Sequence, residues 1–177
     1  MPHTAVPASE LTARLNELRR VMSATHPDWK MILLDNKIDL YYFTGTMQEG
    51  ALVITPDEAV LFVRHSYECA VRDSRFPDIR PLGSFRGIAS AFPEIPETVY
   101  VAARTMTLQK LTMLQKYLPF APSPIDGILS GLRSVKSEYE LDCMRHAGKI
   151  HAKVLETVAP ALLRPGRFDR TILVNYP

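Results

Sequence analysis

A chain of 177 residues with 46% hydrophobic and 23% charged residues has room for one ordinary domain with a substantial core, and this composition excludes the disordered, collagenous and membrane classes. Its 21 Lys and Arg against 19 Asp and Glu leave a net charge of +2 with the basic residues scattered, so neither nucleic acid nor an anionic membrane is an expected partner. No apolar run approaches the roughly 18 residues of a membrane span, residues 1–8 carry no secretory signal, and Cys69 and Cys143 stand far apart as two reduced thiols of a cytoplasmic protein.

Leu11, Leu15, Leu18 and Met22 recur at helical spacing and predict an amphipathic helix over residues 9–24, with Arg14, Glu17, Arg19 and Arg20 on its polar face. After His26-Pro27, the short run Met31-Ile32-Leu33-Leu34 reads as a buried strand. Asn36 then caps a short helix that Gly45 ends in the left-handed conformation. Residues 51–55 and 59–63 form a hairpin about Pro56-Asp57-Glu58.

Further on, a helix is expected over residues 66–75, a strand over 78–82, a helix over 85–91 and a strand over 99–102. Another helix over 107–118 has Thr107 as its cap. Residues 119–124 hold three prolines and must be extended, as an edge strand or a connector. A final long helix starts at the capping box Ser137-Glu138-Tyr139-Glu140, with Leu141, Met144, Gly148, Leu155 and Val158 on one face and Pro160 near its end. Strands alternating with helices predict an α/β layered fold.

Candidate chemistry is sparse. His3 and His26 read as solvent-exposed. His65 follows an apolar strand and precedes a helix, where α/β enzymes often place functional groups, and it is the weak candidate of the chain. Asp142 and His146 share a helix face at a spacing of four residues; a solvated ion pair accounts for them better than a zinc site, which needs a third ligand. There is no Gly-x-Ser-x-Gly, no His-Glu-x-x-His and no phosphate loop. No catalytic or metal-ligating residue is assigned.

The stretch Leu40-Tyr41-Tyr42-Phe43-Thr44-Gly45, the hairpin after it, and Leu132-Arg133-Ser134-Val135-Lys136-Ser137-Glu138-Tyr139-Glu140-Leu141 with Met144-Arg145 resemble the N-terminal domain of the creatinase, aminopeptidase P and prolidase family and its junction to the catalytic domain. The resemblance implies a mixed β-sheet flanked by helices, of the ribonuclease-H-like kind. It divides the chain into a flexible N-terminus (residues 1–8), the N-terminal domain (9–133), a junction helix (134–160) and an atypical tail (161–177). It also implies a missing pita-bread catalytic domain, with two divalent ions (Mn, Co or Zn) held by two Asp, one His and two Glu.

On this reading the chain is inactive alone. It forms a homodimer and helps cover the partner's active site, with Tyr41, Tyr42 and Phe43 as anchors; ordinary core packing is the competing account of those three rings. A free-standing small hydrolase using His65 or the Asp142 and His146 pair, or a regulatory binding module, are the alternatives. The tail departs from the family: Arg164-Pro165-Gly166-Arg167-Phe168-Asp169-Arg170 resembles the arginine-finger region of AAA+ ATPases, with Arg164 and Arg167 as the fingers. Without a phosphate loop the chain is not an ATPase.

Overall fold

The computed structural model describes residues 5–162. His3 and the tail with Arg164 and Arg167 lie outside the described residues, so the arginine-finger resemblance rests on no structural observation. The chain divides into two compact units, Met1–Val135 and Lys136–Pro177.

In the first unit the elements run α1 (Ala8–Thr25), β1 (Ile32–Leu34), α2 (Lys37–Thr44), β2 (Gly50–Ile54), β3 (Ala59–Val63), α3 (Tyr67–Asp73), β4 (Ile79–Pro81), α4 (Arg86–Ala91), β5 (Thr98–Val101), α5 (Leu108–Gln115), β6 (Ala121–Pro124) and α6 (Asp126–Ser134). They build one six-stranded sheet in the order β4-β3-β2-β1-β5-β6. β2 is antiparallel to both β1 and β3, whereas the β3/β4, β1/β5 and β5/β6 pairs are parallel. The sheet is mixed and flanked by helices, as expected.

Both faces of the sheet are buried, which explains the unbroken apolar runs of β1, β2 and β3. Met31, Leu33, Ala51, Val53, Val60, Phe62, Val99 and Val101 pack with Ile88 of α4 and Leu114 of α5. Their sequence neighbours Ile32, Leu34, Leu52, Ile54 and Leu61 are also fully buried and, by the period of two in a strand, point to the opposite face. α1 buries its own apolar stripe, Leu11, Leu15, Leu18 and Met22, and contacts α2 and α6. Each such side chain contributes about 1.5–3 kcal/mol on burial.

Gly50 has a packing reason to be glycine, since a Cβ there would run into the Phe62 carbonyl oxygen of the paired strand. β6 lies at the sheet edge, where Pro122 and Pro124 remove donors the ladder does not need.

Two readings need correction. Arg14 is buried rather than on the polar face of α1: its Nε donates to Glu10 at 2.9 Å, its Nη1 to the Tyr42 carbonyl at 2.7 Å, and its guanidinium lies 4.3 Å from the Tyr42 ring centroid. A planar, weakly hydrated cation tolerates this because Glu10, the Tyr42 carbonyl and the Tyr42 ring replace part of its hydration. The sequence reading also passed over α6, whose Asp126 carboxylate accepts from the backbone N–H of Ala103 at 3.1 Å and of Arg104 at 3.0 Å.

The second unit contains α7 (Glu138–Leu162). Its capping box forms as anticipated: Ser137 Oγ accepts from Glu140 N at 3.2 Å, and the Glu140 carboxylate accepts from Ser137 N at 3.0 Å. Met144, Ile150, Val154 and Leu155 are exposed along it.

Candidate functional site

The segment that includes Tyr41, Tyr42 and Phe43 is fixed at both ends by local chemistry. Asn36 Oδ1 accepts from Asp39 N at 2.9 Å, and Gly45 takes φ 75° while its N–H closes on the Tyr41 carbonyl at 2.8 Å. Only glycine reaches that conformation without a steric penalty. Within this single helix the three rings have different surroundings.

Phe43 is buried in the core at 1% exposure. Tyr42 is half-buried and ties three helices together: its ring lies beneath Arg14 of α1 and edge-on to Phe43, and its hydroxyl donates to the Leu132 carbonyl of α6 at 3.2 Å. Tyr41 is exposed at 41%, and Ile38, one turn earlier, at 66%. The helix therefore spends two rings on packing and presents one to solvent.

Asp39 is the electrostatic centre of this helix. It is 3% exposed and is held by the Asn36 amide and the Arg133 guanidinium of α6. Burial pushes its carboxyl above the usual carboxylate range, while Asn36 and Arg133 pull it back down. A paired but desolvated carboxylate of this kind locks α2 to α6.

Tyr41 opens onto a groove of about 640 Å³ whose wall also includes Met47, Gln48, Arg72, Asp73 and Arg75. A serine that sequence reasoning passed over assembles it. Buried Ser74 donates its hydroxyl to the Thr44 carbonyl and accepts from Phe76 N at 2.9 Å, which joins the end of α3 to the end of α2. Arg72 spends its guanidinium on Asp73, at 2.8 and 3.3 Å.

His65 sits at the end of β3 with its side chain 67% exposed and its Nε2 4.0 Å from Glu49, which also lies 3.7 Å from Arg64. Asp142 is paired with Arg145 at 2.7 Å rather than with His146, because the longer side chain three residues on reaches it more easily. Cys69 and Cys143 are both free thiols.

Among the described residues no group of three or more His, Cys, Asp or Glu is arranged to hold a metal ion. Asp39 and Asp126 spend both carboxylate oxygens on protein donors. No helix among these residues is long and apolar enough to cross a membrane.

Residues 14–135 match the family model described as the creatinase/prolidase N-terminal domain. No curated protein sequence matches the chain. Among solved structures, a prolidase from Pyrococcus furiosus aligns with a TM-score of 0.68 at 23% identity, over 80% of this chain and 44% of that one. An Xaa-Pro dipeptidase from Bacillus anthracis aligns at 0.75 and 19%, over 89% and 45%. An Xaa-Pro aminopeptidase from Streptococcus pyogenes aligns at 0.61 and 18%, over 71% of this chain and 99% of that one. At these identities the likeness establishes the fold alone, and the chain spans less than half the length of the first two.

Proposed function

Because this chain belongs to the creatinase/prolidase N-terminal domain family, we propose that it is the non-catalytic N-terminal domain of a metal-dependent Xaa-Pro aminopeptidase or dipeptidase, a cytoplasmic enzyme. In this reading it serves dimerisation and covers the partner's active site. The hydrolytic centre, with its two divalent cations, lies in a following domain that α7 leads into. The observation that carries the reading is how two carboxylates are used: Asp39 pins α2 to α6 and Asp126 holds the loop after β5, beside a sheet whose apolar residues fill a core.

The names of the solved relatives supply the reaction class, and the length relation supports a further domain. The Streptococcus chain, 99% of which aligns here, supports the view that a domain of this extent folds on its own. The outer side of α2 suits an interface because Ile38 and Tyr41 lie one turn apart and are both exposed.

Light scattering on the purified chain tests the dimerisation role. The expected result is a dimer at micromolar concentration that Ile38→Lys converts to a monomer with the parent's circular dichroism spectrum and a melting temperature no longer dependent on concentration. A chain that is monomeric at every concentration contradicts it.

A further inference from the structure

We draw no further inference here: the strongest candidate, the buried carboxylate of Asp35 just after β1, whose Oδ2 takes Lys110 of α5 at 2.7 Å while its Oδ1 has no hydrogen-bond partner, is a single acceptor that belongs to no group of three or more metal-ligating side chains among the described residues, and nothing in the structure shows what would bind it.

Discussion

α1 and α7 carry the same kind of pattern and meet different fates. Both are amphipathic, and α1 buries Leu11, Leu15, Leu18 and Met22, the last two completely. In α7, Met144, Ile150, Val154 and Leu155 remain between 44% and 66% exposed. Periodicity specifies a helix and a stripe, but it does not specify what covers the stripe. For α1 the cover lies within its own unit, where it contacts α2 and α6, and for α7 the accessory-domain reading supplies a following domain.

The comparison breaks most sharply on paired truncations. Leu18→Ala should destabilise the chain by about 2–5 kcal/mol in denaturant unfolding, through lost burial and a residual cavity. A smaller effect is expected at the helix pair that Asp39 joins. Arg133→Met should cost about 2–3 kcal/mol, because it strands a buried carboxylate, with the loss limited by protonation and by the partial exposure of Arg133.

The pH dependence follows in size. Asp39 has a folded-state pKa above its unfolded value, so the folded chain binds the extra proton between the two. Its favourable contribution is fully present below the ordinary carboxylate value of about 4 and fades as pH rises through the elevated one. Unfolding curves across that window should show a steeper fall for the parent chain than for Asp39→Asn, and a steeper fall still for Arg133→Met. The smallest effect is expected on the open stripe, where Leu155→Ala should change stability by less than about 0.5 kcal/mol. A large loss there would mean that α7 is already covered.

Much of the scaffold was legible because local chemistry and tertiary packing agree. Asn36 and Gly45 bound α2, Thr107 caps α5, accepting from Lys110 N at 3.2 Å, and Ser137 with Glu140 opens α7. In each case one side chain satisfies an orphan donor, or one glycine takes a positive φ, and both signals are sequence-local. The hairpin of β2 and β3 was readable for the same reason: Glu58 N donates to Thr55 Oγ1 across its turn.

What escaped was the part that distant residues decide. α6 was hidden by Gly127 and Gly131, each costing a helix about 1 kcal/mol, and it persists because Leu129 is buried and Asp126 is hydrogen-bonded to the loop after β5. Arg14 carries a polar label in any pattern and becomes a core residue only because Tyr42 lies beneath it. The groove was invisible for a similar reason, since the hydroxyl of Ser74, 30 residues from Thr44, brings its two sides together.

The central proposal is that the hydrolytic centre lies outside this chain. Incubating the purified chain with an Xaa-Pro dipeptide, with and without added Mn²⁺, and following release of free proline tests it most directly. The account predicts no release above the protein-free rate in either condition. Metal-dependent turnover that persists through repurification would contradict it.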